Sequence, residues 1–130
     1  MLYVLLVEDD DLLREGLSEI LREEGFHVTA AAEGAQALGL LRSEEVSPRF
    51  ILLDLMMPGM NGWDFLQLCS RHPVYSGIPI AVASAYPFAE REVHPAIVLR
   101  KPFSPARLKE LIEAHCRCPG RPSARRRARA

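Results

Sequence analysis

The residues of this chain with the most specific chemistry are acids that directly follow apolar segments. Residues 50–53 are apolar, and Asp54 ends that run just before a segment rich in methionine, proline and glycine. Residues 2–7 are also apolar. They are followed by acids, beginning with Glu8, Asp9 and Asp10. Packing does not explain carboxylates at the ends of two interior segments, whereas a bound divalent cation with oxygen ligands does explain them.

The elements that must position these acids alternate between apolar runs and amphipathic segments. Apolar runs that end at turn residues predict five strands, at residues 2–7, 26–30, 50–54, 78–83 and 96–99. The first helix is predicted to begin at an N-cap, Asp10 or Asp11, and to stop at Gly25. Apolar spacings of three and four predict further helices at residues 33–42, 63–71 and 104–115.

Repeated strand–helix alternation predicts an α/β fold, with a five-stranded, doubly wound parallel sheet and helices on both of its faces. In such open sheets, ligands bind outside the carboxyl ends of the strands, at the point where the strand order reverses. In the order 2-1-3-4-5, the first and third strands are neighbours at that point. The acids identified above end these two strands, so we expect them to lie together.

Two further polar residues follow the remaining strands in the same way. Ser84 ends the fourth strand, and Lys101 follows the fifth strand just before Pro102. A lysine after an apolar strand must either extend to solvent or find an anion. The carboxyl edge of the predicted sheet therefore carries acids, a hydroxyl group and an amine.

The order of these residues resembles the response-regulator receiver domain of two-component signalling. The resemblance covers roughly residues 2–115 and is closest to stand-alone, chemotaxis-regulator-like members. It depends on four motifs that occur in the family's order, each after a strand: Val7 to Asp10, Leu53 to Gly62, Ser84-Ala85, and Lys101 to Phe103. The resemblance implies a flavodoxin-like fold with the 2-1-3-4-5 strand order.

The resemblance also implies a magnesium-dependent phosphorylation site. Asp54 would be the phosphoacceptor and would attack a phosphohistidine on a partner kinase. By the family pattern Asp9 and Asp54 would bind Mg²⁺ directly, Met56 would contribute its backbone carbonyl, and Glu8 would act through a bound water. Magnesium suits such a site, because it prefers octahedral oxygen ligands and retains several waters. Crowded acids also need a counter-charge.

In the family, a hydroxyl residue and a lysine complete the site. Ser84 would turn toward the bound phosphoryl group, and Lys101 would stabilise its charge. The Lys101–Pro102 bond is often cis in such proteins. The implied partners are a sensor histidine kinase and either a downstream protein target or a histidine phosphotransfer protein. The domain would assist its own phosphorylation and dephosphorylation without being a conventional enzyme.

The segment before Lys101 departs from the family pattern. Only 16 residues separate Ser84 from Lys101, and they include Pro87 and Pro95. We therefore expect the fourth helix to be a stub around residues 88–93 or an irregular loop. Val98 also occupies a position where many receivers place an aromatic residue that turns inward on phosphorylation. The output surface, rather than the phosphorylation chemistry, is thus the unusual part of this sequence.

Composition predicts one domain with a basic tail. Residues 1–116 contain all 17 acids and ten Lys or Arg residues, a net charge of −7, whereas residues 117–130 contain six arginines. We expect a receiver domain at 1–116 and a disordered Arg-rich tail at 117–130. No apolar run is long enough to span a bilayer and no basic signal-peptide start is present, which predicts a cytoplasmic protein. Cys69 is predicted to pack in the core.

Several alternatives remain open from the sequence. Asp54 could be a strand-end acid satisfied by helix N-termini, and Asp10 and Asp11 are better explained as helix caps than as ligands. The protein could be a phosphorelay intermediate or a nucleic-acid-binding adaptor that uses its tail. A magnesium-dependent phosphohydrolase ranks last, because such enzymes usually have an acid where Met56 stands.

Overall fold

The computed structural model describes residues 2–43, 47–54, 62–84 and 97–116. Three of the sequence predictions therefore lie outside the described residues: the carbonyl ligand Met56, the shortened helix at 88–93 and the tail at 117–130. None of the helices in the described part combines the length and apolarity that crossing a bilayer requires.

Five strands and four α-helices are present in these segments. The strands are β1 (Tyr3–Val7), β2 (His27–Ala31), β3 (Phe50–Asp54), β4 (Ile80–Ser84) and β5 (Ile97–Arg100). The α-helices are α1 (Asp11–Glu23), α2 (Gly34–Ser43), α3 (Gly62–Arg71) and α4 (Pro105–Cys116), with a short 3-10 helix at Tyr75–Gly77.

The strands form one parallel sheet in the order β2-β1-β3-β4-β5. This is the predicted flavodoxin-like arrangement, and it places β1 and β3 side by side at the centre of the sheet. The carboxyl ends of both strands therefore meet at one edge, as the sequence predicts.

Alternate residues of the strands face two separate apolar clusters, because successive side chains of a strand point to opposite faces of the sheet. Leu5 and Ile51 face a cluster that contains the apolar residues of α2 and α3, including Phe65. Leu6 and Leu52 face a cluster that contains those of α1 and α4. The central strands are thus covered on both faces and held rigidly by packing.

Helix α1 begins and ends at the predicted residues. Asp10 is the N-cap, and its Oδ1 accepts a hydrogen bond of 3.0 Å from the amide of Leu13. Gly25 lies two residues beyond the helix with φ of 98°. That left-handed conformation is easily adopted by glycine and terminates many helices.

Strand β4 begins two residues later than predicted, at Ile80. The amide of Ile78 donates to the carbonyl of Tyr75, closing the 3-10 helix, and Pro79 has no amide hydrogen with which to join the sheet. The other boundaries differ from prediction by at most one residue. Ser104 caps α4, because its Oγ accepts a 3.0 Å hydrogen bond from the amide of Arg107.

Cys69 packs in the core, as predicted. It lies on the apolar face of α3 and is completely buried. Burial raises the pKa of the Cys69 thiol to about 11, so the thiol stays protonated near neutral pH. A protonated, buried thiol is a poor nucleophile and a poor metal ligand, which supports a packing role.

Two glycine substitutions test the backbone argument at the end of α1. Gly25→Ala should lower the free energy of unfolding by about 1 kcal/mol, because alanine disfavours the left-handed conformation. Gly39→Ala, in the exposed middle of α2, should raise it by about 0.5–1 kcal/mol through helix propensity. A new Cβ atom has no neighbour within 4 Å at either position. Urea unfolding measures both, and equal effects of the same sign would contradict the conformational explanation.

Candidate metal and phosphoacceptor site

The strand register brings the acid-bearing ends of β1 and β3 to the same level. Val7 pairs with Leu53, so Glu8 and Asp54 each follow the same row of the sheet. Glu8 is still tied to the sheet edge, because its amide donates a 3.0 Å hydrogen bond to the carbonyl of Ala31. Packed strands, rather than a loop, therefore fix the positions of these two carboxylates.

Three carboxylates converge at this edge. One oxygen from each of Glu8, Asp9 and Asp54 lies within 4.8 Å of the others. Their exposure is graded, since Glu8 is only 3% exposed, Asp54 is half-buried and Asp9 is exposed. The structure thus brings together the three acids that the sequence assigned to one cation, with an open side at Asp9.

Lys101 reaches the same cluster from β5. Its Nζ lies 3.7 Å from Oε1 of Glu8, so the amine has found an anion, as expected for a lysine that follows an apolar strand. The Lys101–Pro102 peptide bond is cis, which agrees with the family pattern. The side chain of Lys101 remains about one quarter exposed, so it stands beside the acids rather than among them.

The electrostatics of the cluster are most evident at Glu8. Burial, with further contributions from the charge of Asp54 and a hydrogen bond to its side chain, raises the pKa of Glu8 from 4.5 to about 7. The Asp10 amide and the charge of Lys101 act in the opposite direction. A nearby positive charge would favour the ionised form of a buried carboxyl group whose pKa is raised in this way.

Hydrogen bonds also hold the segment between β1 and α1, which carries two of the acids. The amide of Asp10 donates to Oε2 of Glu8 at 3.2 Å. The guanidinium of Arg14 donates to the main-chain carbonyl of Glu8 at 2.9 Å. Sequence reasoning missed this contact, because the target is a carbonyl, which every residue has. The only signal was the spacing of three between Asp11 and Arg14, typical of a helical ion pair.

Ser84 and Met56 are the other two residues that the sequence predicts for the site. Ser84 is the last residue of β4 and pairs with Arg100 in the register. The preceding residue, Ala83, pairs with Asp54, which places the backbone of Ser84 one step further along the site edge. Met56 lies outside the described residues, so its predicted carbonyl contact is untested.

The donor set fits a small divalent cation. All three side chains offer oxygen, the ligand that Mg²⁺ prefers, and they leave room for the waters that this ion retains. Histidine and cysteine, which softer metals prefer, are absent from the described cluster. A cation here would also favour the charged form of Glu8, whose pKa is raised by burial and by the charge of Asp54.

Comparison with known proteins identifies the class. Residues 4–113 match the family described as the response regulator receiver domain. The chain therefore belongs to the receiver domains of two-component signalling.

One group of similar proteins consists of transcriptional regulators. The DNA-binding response regulator MtrA of Mycolicibacterium smegmatis is 44% identical over 82 residues, an alignment covering 63% of this chain and 34% of MtrA. The chain thus spans about a third of the length of the curated relatives it matches. DNA binding is a property named for MtrA, whose length extends well beyond the matched region.

Solved structures show the same fold. The chemotaxis protein CheY4 of Vibrio cholerae is 28% identical with a TM-score of 0.78, covering 88% of this chain and 98% of CheY4. A response regulator from Chloroflexus aurantiacus is also 28% identical, with a TM-score of 0.81 and coverage of 90% and 98%. Both alignments cover nearly all of the matched protein, so the similarity extends over a whole receiver fold.

The raised pKa of Glu8 predicts a specific pH dependence of stability. Between pH 4.5 and about 7 the folded, metal-free protein binds more protons than the unfolded chain, so its stability should fall as pH rises through that window. Glu8→Gln should remove this loss, which is worth at most about 3 kcal/mol. Urea unfolding in a chelator at several pH values measures the difference between the two proteins. Glu19→Gln, which removes an exposed glutamate of α1, is the control, and a wild-type to Glu8→Gln difference that is constant across the window would contradict the raised pKa.

Proposed function

We propose that this chain is a phosphorylation-controlled receiver, in which Asp54 accepts a phosphoryl group from a sensor histidine kinase. The observation that carries the proposal is the convergence of Glu8, Asp9 and Asp54 within 4.8 Å, beside the amine of Lys101. The proposed receiver comprises residues 1–116, and the Arg-rich residues 117–130 form a separate tail.

In the proposed reaction, a carboxylate oxygen of Asp54 attacks the phosphorus of a phosphohistidine. A phosphorus–oxygen bond forms as the phosphorus–nitrogen bond breaks, and the histidine nitrogen keeps the electron pair. Asp54 is suited to this role because β3 fixes it at the rim of the site while its side chain stays half-buried. Buried Glu8 has less access to a large donor.

The other acids serve the cation in this proposal. Asp9 and Asp54 would hold Mg²⁺, with the carbonyl of Met56 as a further oxygen ligand, and Glu8 would act through a bound water. The bound ion supplies positive charge that stabilises the oxygens of the transferring phosphoryl group. The positive charge of the ion would also favour the deprotonated form of Glu8.

In this proposal Lys101 and Ser84 contact the phosphoryl group on Asp54. The Lys101 amine exchanges its contact with Glu8 for a phosphoryl oxygen, which is a stronger charge-assisted partner. The Ser84 hydroxyl donates a hydrogen bond to another phosphoryl oxygen. Both movements draw the ends of β4 and β5 toward Asp54 and thereby remodel the surface between residues 86 and 101.

Replacement of the proposed phosphoacceptor tests this function directly. Wild-type protein incubated with acetyl phosphate and Mg²⁺ should gain one phosphoryl group, detected by intact-mass spectrometry, and should gain none in a chelator. Asp54→Asn should gain none in either condition, because an amide oxygen is a far weaker nucleophile than a carboxylate. Asp64→Asn, which removes an exposed acid in the first turn of α3, should be labelled like wild type. Equal labelling of the Asp54 variant would remove Asp54 from the mechanism.

A phosphorelay intermediate is the second candidate, and Val98 is the residue that favours it. Val98 packs against the core cluster on the α2 and α3 side of the sheet. It stands where many receivers carry an aromatic switch residue, and a small aliphatic side chain has no comparable inward and outward positions. A relay protein needs the phosphorylation chemistry but not that switch.

The fate of the phosphoryl group separates the two candidates. For a switch, the label on Asp54 should decay slowly and at the same rate with or without a purified histidine phosphotransfer protein. Rapid, partner-dependent transfer of label onto the histidine of that protein would instead establish the relay. The transfer protein with its histidine replaced by alanine is the matched control.

A further inference from the structure

We infer that Arg14 is a positioning residue for the metal site, holding the main-chain segment that carries Glu8 and Asp9. The inference deepens the proposed function and depends on it, because it assumes that these acids bind Mg²⁺. Arg14 lies on α1 and contacts neither the proposed cation nor the phosphoryl group.

The contacts of Arg14 join helix α1 to the acidic segment. Nη1 donates to the carbonyl of Glu8 at 2.9 Å and lies 3.5 Å from the carbonyl of Asp9. Nη2 donates to Oδ1 of Asp11 at 2.6 Å. One guanidinium therefore reaches the backbone of both proposed ligands while a carboxylate of its own helix fixes its orientation.

The Glu8 amide is tied to the sheet edge through Ala31, but few contacts restrain the rest of the acidic segment. Only three residues, 8–10, connect β1 to α1. The Asp10 side chain caps α1 by accepting from Leu13, and the amide of Asp10 donates to Glu8. Among the residues that the structure describes, only Arg14 donates a hydrogen bond to the main-chain carbonyls of Glu8 and Asp9. Its loss would leave the part-buried Glu8 carbonyl without that bond, an unfavourable state.

Arginine suits this role better than lysine. Its planar guanidinium presents donors at fixed angles, so it can bond a carboxylate with one nitrogen and main-chain carbonyls with another. A lysine ammonium has three donors on a flexible stem, so it would lose the fixed orientation that the planar guanidinium has toward the carboxylate and the carbonyls. The inference therefore predicts that Arg14→Lys fails to substitute, although it keeps the charge.

The charge of Arg14 would by itself act against cation binding. Removing a positive charge close to three carboxylates makes the site more negative, so electrostatics alone predicts tighter binding of Mg²⁺ by a neutral variant. Loss of positioning predicts weaker binding, because displaced ligands no longer meet the strict octahedral geometry of this ion. The sign of the change in affinity thus separates the two explanations.

The test is Mg²⁺ binding by full-length protein, measured by calorimetry without a phosphodonor. Arg14→Met and Arg14→Lys should both bind Mg²⁺ roughly tenfold more weakly than wild type, the usual size of an effect from a residue that orients metal ligands. Arg22→Met is the matched control. This variant removes the same charge from the same helix, but Arg22 donates to the Val28 carbonyl of β2 and not to the acidic segment. The Mg²⁺ affinity of Arg22→Met should therefore be close to that of wild type.

A second measurement is independent of the metal. In the metal-free Arg14 variants, hydrogen exchange of the Asp10 amide should be about two- to tenfold faster than in wild type, since its acceptor Glu8 is less firmly held. Exchange of the Leu52 amide, in the buried strand β3, should be unchanged. This comparison also shows that the variants are folded.

The outcomes separate this inference from the proposed function. Wild-type protein that does not bind Mg²⁺ would overturn the proposed function, and the inference with it. Wild-type binding, together with equal or tighter binding by Arg14→Met, would overturn the inference alone. Weaker binding by Arg14→Met that Arg14→Lys fully restores would also overturn it, because a flexible ammonium donor would then hold the segment as well as a guanidinium of fixed geometry.

Discussion

The structure depends on holding three carboxylates closer together than their mutual repulsion favours. One oxygen of each of Glu8, Asp9 and Asp54 lies within 4.8 Å of the others, and burial, together with the charge of Asp54, raises the pKa of Glu8. Two of them are carried by β1 and β3, the central strands of a sheet that is buried on both faces. Apolar burial on that scale fixes the strand ends, so the acids cannot separate without disrupting the core.

The two halves of the site are supported by different means. Asp54 is the last residue of a strand, and the register with β1 and β4 determines its position. Asp9 lies beyond β1, where no sheet hydrogen bond holds it, and its segment is instead secured from α1 by Arg14 and the Asp10 cap. The proposed phosphoacceptor is thereby held rigidly, whereas the segment of the proposed ligand Asp9 depends on a few polar contacts.

The sequence was sufficient to predict the fold and the acidic cluster, because both follow from the positions at which apolar runs end. Runs of apolar residues predicted β1 and β3, and parallel pairing then required Glu8 and Asp54 to share an edge. The sequence was not sufficient for the start of β4, since the 3-10 helix at Tyr75–Gly77 uses the Ile78 amide that would otherwise be free for the sheet. The contacts of Arg14 with main-chain carbonyls were also missed, because every residue has a carbonyl and the spacing of Asp11 and Arg14 indicates only their ion pair.

A conformational change that begins at this site should displace β5 more easily than the central strands. Within the described part of the chain it is the shortest strand, with four residues, and at the edge of the sheet it pairs with β4 alone, whereas β1 and β3 each have two neighbours. Elements with fewer contacts cost the least free energy to displace. Lys101 follows β5 directly, and its 3.7 Å separation from Glu8 is longer than a close ion pair. A stronger anion on Asp54 would therefore pull on the least restrained part of the sheet, while the two central strands that carry the acids stay in place.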